Sequence, residues 1–164
     1  LEEKYEAYQY YLDAVKRDGV PYDLITKALP TIEGEVNNIL SQLVDFQMLF
    51  EMDGKNVNCF IVYDDDNVWP LELSSGMERF ISSLAIRVAL INVSNLPRSN
   101  FLAIDEGWGT MDSDNLNSVY SLFQYLKSQF QFTLIVSHID SMRDAVDTLL
   151  EIKKEKDYSN INFG

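Results

Sequence analysis

The chain opens on a helical stripe. Leu1, Tyr5, Tyr8, Leu12 and Val15 recur at steps of four and three, the a/d spacing of a heptad seam. Glu2, Glu3, Lys4, Glu6 and Lys16 lie off it. Barely two heptads are present. The stripe therefore fits either the end of a coiled coil or an amphipathic helix lying on the domain's own core. It begins without a cap or an initiator Met, as expected of a piece of a longer protein. Asp18-Gly19-Val20-Pro21 stops this helix, because Gly suits a helix C-terminus and Pro follows one. The pattern then predicts a second helix over Tyr22–Leu29 and a third over Thr31–Leu43. Pro30 sits between them, at or near a helix start.

From Phe46 the texture changes. Phe46–Met52 and Val57–Tyr63 flank Asp53-Gly54-Lys55-Asn56, which predicts an antiparallel hairpin with a Gly-containing turn. Asp64-Asp65-Asp66-Asn67 reads as an acidic, solvated turn, without the Gly and alternating ligands of a calcium loop. Ser75-Gly76-Met77-Glu78 has capping-box spacing, and Met77, Ile81, Leu84, Val88 and Ile91 continue as the stripe of a helix. Phe101–Ile104 and Phe132–Val136 are short continuous apolar runs, as expected of strands buried on both faces. Asn115–Gln129 reads as the helix between them. Ser141–Val146 reads as a short helix and Thr148–Ile152 as a further strand. This alternation predicts an α/β fold with parallel βαβ units.

Composition narrows the function. Apolar residues make up 46% of the 164, enough to build a core rather than a disordered chain. Thirteen basic residues against 26 acidic ones give a net charge of −13. A grip on nucleic acid needs clustered Lys and Arg, so the charge argues against that role for this chain alone, though not against one shared with a basic partner. Cys59 is the only cysteine. That excludes an internal disulfide and a cysteine-based zinc site, and fits a reducing compartment. The longest apolar helical stretch, Phe80–Val93, is interrupted by Arg87 and too short to span a bilayer, so no membrane partner is expected.

Four clusters carry candidate chemistry. Leu73-Ser74-Ser75-Gly76-Met77 is a Ser/Gly turn feeding a helix, where free amides receive an anion and hydroxyls add hydrogen bonds. Its plain alternative is an ordinary helix cap. Asp105 and Glu106 end the first apolar strand, where open α/β sheets place ligands. Adjacent acids there suit Mg2+ binding through Asp105 and water activation by Glu106; the plain alternative is a strand end turning into solvent. Gly107-Trp108-Gly109-Thr110-Met111-Asp112 makes a tight loop before the next helix, with Asp112 or Ser113 as its cap. His138, the only histidine, follows the second apolar strand. A lone histidine is commonly structural, but this one shares a sheet edge with the two acids.

In this order and spacing the clusters resemble the C-terminal half of an ABC-type ATPase head. Leu73–Met77 resembles the signature motif, with Ser75 in place of the first Gly of its Ser-Gly-Gly core. Phe101–Glu106 resembles Walker B with the catalytic glutamate, Gly109-Thr110-Met111-Asp112 the D-loop, and His138 the switch histidine. Asp105-Glu-Gly-Trp-Gly-Thr-Met-Asp112 is very like the Asp-Glu-Gly-Phe-Gly-Thr-Leu-Asp stretch of SbcC-type DNA-repair ATPases. Gly19-Val-Pro21 followed by Pro30, Glu33, Asn37 and Leu40 is similar to that family's segment where the coiled coil re-enters the head. No Gly-x4-Gly-Lys-Ser/Thr is present: Gly54-Lys55 is followed by Asn56, and Leu49 stands where the first Gly belongs. In SbcC and SMC proteins that Walker A loop lies on the N-terminal half, across a long coiled coil.

The resemblance implies a mainly parallel sheet with flanking helices and an antiparallel hairpin over residues 19–164, preceded by the end of a coiled coil over 1–18. It implies ATP and Mg2+ as cofactors, with Asp105 on the metal through water, Glu106 as base and His138 at the γ-phosphate. Leu73–Met77 and the D-loop would act across a dimer of heads. The partners implied are the N-terminal lobe, a second head, an SbcD-type nuclease and DNA through the assembled complex. The location implied is the cytoplasm at the nucleoid, or the nucleus in a eukaryote. Hydrolysis is expected only once the Walker A lobe and the second head are in place. The alternatives are an SMC- or RecF-like chromosome or gap-repair ATPase, and a non-catalytic interaction fragment.

Overall fold

The computed structural model describes residues 2–54, 56–105, 116–138, 140–156 and 158–163. The chain divides into two compact units, Leu1–Arg98 and Ser99–Gly164.

The first unit begins with helices α1 (Glu2–Val15) and α2 (Val20–Leu40). Gly19 joins them, its amide donating to Lys16 O at 2.9 Å. A Cβ at Gly19 would fall 2.5 Å from the carbonyl oxygens of both Asp13 and Ala14, so the turn requires glycine. Pro21 occupies the start of α2, where an amide donor is not needed. No residue of α1 is buried, and Tyr5, Tyr8, Leu12 and Val15 are all at least half exposed. These four described residues of the stripe are therefore not packed into the core of the first unit.

One helix, α2, replaces the two predicted around Pro30, which lies inside it. Proline in a helix costs about 3 kcal/mol through the missing hydrogen bond and a clash. Here Pro30 faces solvent, and the turns after it are anchored by tertiary contacts. Val36, Ile39 and Leu40 are buried. Asn37 Nδ2 donates to Met48 O at 2.8 Å while its Oδ1 accepts from Met48 N at 2.7 Å. Glu33 Oε2 accepts from Phe50 N at 2.8 Å.

Those bonds cover the free edge of an antiparallel sheet ordered β1 (Gln47–Asp53), β2 (Asn56–Asp64), β3 (Asn67–Pro70). The predicted hairpin is β1–β2. Asp53 pairs with Asn56 across the turn, and Gly54 takes the left-handed φ of +58° that the turn needs. The acidic turn is closed by Asp64 Oδ1, which accepts from Asp66 N and from Asn67 Nδ2. It leads directly into β3, which the hydrophobic pattern did not predict. A short 3-10 turn, Leu71–Leu73, then leads to α3 (Gly76–Val93). Met77, Ile81, Leu84 and Val88 are buried, Ile91 is half-buried, and Ala85 and Ala89 widen the stripe that packs on α2. Asn92 Nδ2 donates to Glu35 Oε1 at 2.7 Å, a polar tie between the two helices.

The second unit is built on β4 (Phe101–Asp105), α4 (Leu116–Gln129) and β5 (Phe132–Val136), with β4 and β5 parallel as the alternation predicts. Val119, Leu122, Phe123, Leu126, Phe130 and Met142 form its core. The strands are not buried on both faces. Leu102, Ile104, Thr133 and Ile135 are half-buried, whereas Phe101, Phe132, Leu134 and Val136 on the other face are 46, 58, 40 and 42% exposed. After a 3-10 turn at Asp140–Ala145 come β6 (Leu150–Glu155) and β7 (Tyr158–Phe163). The predicted strand at Thr148–Ile152 is thus β6, displaced by two to three residues, and its described partner is the antiparallel β7. The mixed architecture keeps the parallel pair with its helix and adds antiparallel pairing beyond the one expected hairpin.

Candidate nucleotide-binding elements

Two elements, one in each unit, carry the motif residues. In the first unit, Ser75 is the N-cap of α3, with φ −63° and ψ 162°. Its Oγ accepts from Glu78 N at 3.3 Å, and Glu78 Oε2 accepts from Ser75 N at 2.6 Å. This is a complete capping box, worth about 0.5–2 kcal/mol. The cap uses a lone pair of the Ser75 hydroxyl and leaves its proton available for donation. It engages the amides of Ser75 and Glu78, while those of Gly76 and Met77 lie outside it, at the helix start where donors lack intrahelical partners. Ser75 is exposed and Leu73 is 77% exposed. Ser74 is 7% exposed, and its Oγ donates to Leu71 O at 2.7 Å, closing the turn. Met77 is buried in the core. The five residues thus divide into an exposed pair, Leu73 and Ser75, a buried pair that fixes the turn, and Gly76 between.

Sequence reasoning missed Tyr63. Its hydroxyl donates to Glu78 Oε1 at 2.7 Å. An aromatic residue in a strand reads as packing, so no pattern marks this bond. Burial, followed by the bond to Glu78, pushes the Tyr63 hydroxyl up to about 12. Partial burial works against ionisation of Glu78. The hydrogen bonds from Tyr63 and Ser75 outweigh it and hold the carboxyl below its usual range.

In the second unit the parallel register sets Asp105 opposite Val136 on the last rung, and Ser137 and His138 follow directly. Adjacent strands lie about 4.8 Å apart. Asp105 ends β4 and His138 lies two residues beyond the end of β5, so both stand at the carboxyl edge of the same parallel pair, and both are exposed. Glu106, Gly109, Thr110, Met111 and Asp112 lie outside the described residues. Among the described residues no group of three His, Cys, Asp or Glu side chains could hold a metal unaided. One exposed carboxylate at a strand end suits Mg2+, which keeps several waters and shares its shell with substrate phosphates.

No family model matches the chain. It is 37% identical over 170 aligned residues to an uncharacterised protein of Acanthamoeba polyphaga mimivirus, covering 94% of this chain and 13% of that one. It is 27% identical over 116 residues to the SbcC component of the SbcCD nuclease of Staphylococcus aureus, covering 68% of this chain and 11% of that one. A solved SMC ATPase, from work on ATP-driven dimerisation and DNA-stimulated activation, superposes with a TM-score of 0.70 at 15% identity over 86% of this chain and 88% of that one. The chain has the fold of the C-terminal lobe of an SbcC/SMC-type ABC ATPase head. The lobe spans only about an eighth of the curated relatives it matches. Within this head-type fold, α3 with its Ser75 cap and the β4–β5 edge with Asp105 and His138 are the two elements that bear the motifs. No described helix of the lobe is long and apolar enough to cross a membrane.

Proposed function

We propose that this lobe hydrolyses ATP when completed by a Walker A lobe and paired with a second head, and that the assembly controls the processing of DNA ends with an SbcD-type nuclease. The observation that carries the reading is the β4–β5 register, which supports Asp105 and His138 acting at one sheet edge. Asp105 would hold Mg2+ through water, and the ion would offset phosphate charge. Glu106 would orient and deprotonate the attacking water. His138 would contact the γ-phosphate. Ser75 and Gly76 would meet the nucleotide of the opposing head, and Asp112 would act across the same dimer. The open face bearing Phe101, Phe132, Leu134 and Val136 supports docking of the Walker A lobe, since parallel sheets are ordinarily covered on both faces. The unburied seam of α1 supports its reading as the end of a coiled coil.

Glu106→Gln tests the reading in the completed head. It removes a general base, so hydrolysis should fall by about 10²–10⁴-fold. ATP-bound dimers should accumulate, because the step that opens them is blocked. Turnover within about threefold of the parent would sink the assignment. A second reading, an SMC-type chromosome ATPase, is favoured by the superposition on an SMC ATPase. Co-purification of a nuclease with the native complex distinguishes the two.

A further inference from the structure

The capping-box carboxylate is held by a residue outside every motif. Tyr63 lies where the β2–β3 ladder slips: Val62 pairs with Val68, but Asp64 pairs with Asn67. Tyr63 is therefore the extra residue of a bulge, and a bulge re-aims the side chain it carries. The ring packs against Phe46 and Trp69, with centroids 5.6 and 5.5 Å away. Its hydroxyl reaches Glu78 Oε1 at 2.7 Å, while Glu78 Oε2 takes the Ser75 amide at 2.6 Å. Both oxygens of one carboxylate are thereby fixed.

That fixing matters because of where Glu78 sits. It is an anion in the first turn of α3, beside the Gly76 and Met77 amides that the helix leaves for an incoming anion. A carboxylate released from its partners competes for those donors. We propose that Tyr63 is a positioning residue for the signature turn: it pins Glu78 in the cap and so keeps the Gly76 and Met77 amides open to the phosphoryl oxygens of a nucleotide presented by a second head. This rests on the reading that Ser75–Met77 meet ATP in trans.

Tyr63→Phe removes only the hydroxyl and keeps the ring between its neighbours. In the chain assembled with its Walker A lobe, the ATP concentration for half-maximal head dimerisation should rise about five- to tenfold, the loss of one charge-assisted hydrogen bond at a partly exposed site. ATP binding by a single head should not change. In a Glu78→Gln background, which keeps a capping residue but removes the charge, Tyr63→Phe should shift the midpoint less than about twofold. Ser75→Arg serves as the control for the signature itself. If ATP-driven dimers are absent from the parent or survive Ser75→Arg, the signature reading fails and takes this proposal with it. If Ser75→Arg abolishes dimers while Tyr63→Phe leaves the midpoint within about twofold, only the Tyr63 proposal is overturned. It is likewise overturned by an equal loss in both Glu78 backgrounds, or by a drop in melting temperature that accounts for the shift.

Discussion

Asn37 binds both backbone groups of Met48, donating to its carbonyl at 2.8 Å and accepting from its amide at 2.7 Å. A side-chain amide thereby takes the place of the neighbouring strand that β1 lacks, among the described residues, on this edge. Asn37→Ala leaves both groups of a residue that is only 2% exposed without these partners. The first unit should lose about 2–3 kcal/mol, read by urea unfolding with unchanged m-value. A loss below about 0.5 kcal/mol would mean that water replaces Asn37 at the edge.

Tyr63 makes a pH prediction. Its folded value of about 12 stands above the ordinary 10.0, so its contribution to stability is complete below pH 10 and is lost as pH rises through 12. Tyr63 is 43% exposed, so screening by water reduces this to about 1 kcal/mol. Tyrosinate absorbance should show a step near pH 12, and Tyr63→Phe should abolish it. Glu78 gives the opposite slope. Its depressed value means its contribution is present above the ordinary carboxylate range and disappears as pH falls through the folded value.

Gly19→Ala should separate local order from global stability. The added Cβ meets two backbone carbonyl oxygens at 2.5 Å, which cannot swing aside as a side chain can. Since α1 buries nothing, the strain should release by fraying α1. Amide exchange over residues 2–15 should accelerate at least tenfold while the melting temperature of the first unit moves little. Unchanged exchange in α1 would show that the turn accommodates alanine.

Phe132→Asp probes the open sheet face. Phe132 is 58% exposed and stacks on Phe101 at a centroid distance of 5.4 Å. The isolated lobe should lose only about 1 kcal/mol, the worth of one aromatic pair. Co-expression with the Walker A lobe should yield no stable complex. Recovery of a normal complex would place the docking surface elsewhere.

The parts legible in the sequence were those where local chemistry decides. The Met77–Val88 stripe, the Gly54 turn and the apolar runs of β4 and β5 each follow from residues close in the chain. The parts that were not legible depend on distant partners. Pro30 looks like a boundary until Asn37 and Glu33 are seen clamping β1. Strand β3 is four residues long, starts with Asn and ends with Pro, and exists because β2 offers it an edge. β7 is held by β6, in a register that composition does not announce. At the candidate site, Ser75, Asp105 and His138 were visible as motif members. Tyr63 lies 15 residues from the glutamate it holds, outside the reach of any periodic pattern.

The bare face of the parallel pair has a consequence for how the lobe survives alone. Phe101, Phe132, Leu134 and Val136 present a sticky surface of the kind that drives chains to coalesce. The net charge of −13 opposes this, since like-charged molecules repel before their apolar patches meet. Repulsion of this kind is screened by salt, over a Debye length of about 8 Å at physiological ionic strength. The acidic surface therefore works as a colloidal guard for this apolar face, and the chain should precipitate at salt concentrations that a Phe132→Asp variant tolerates.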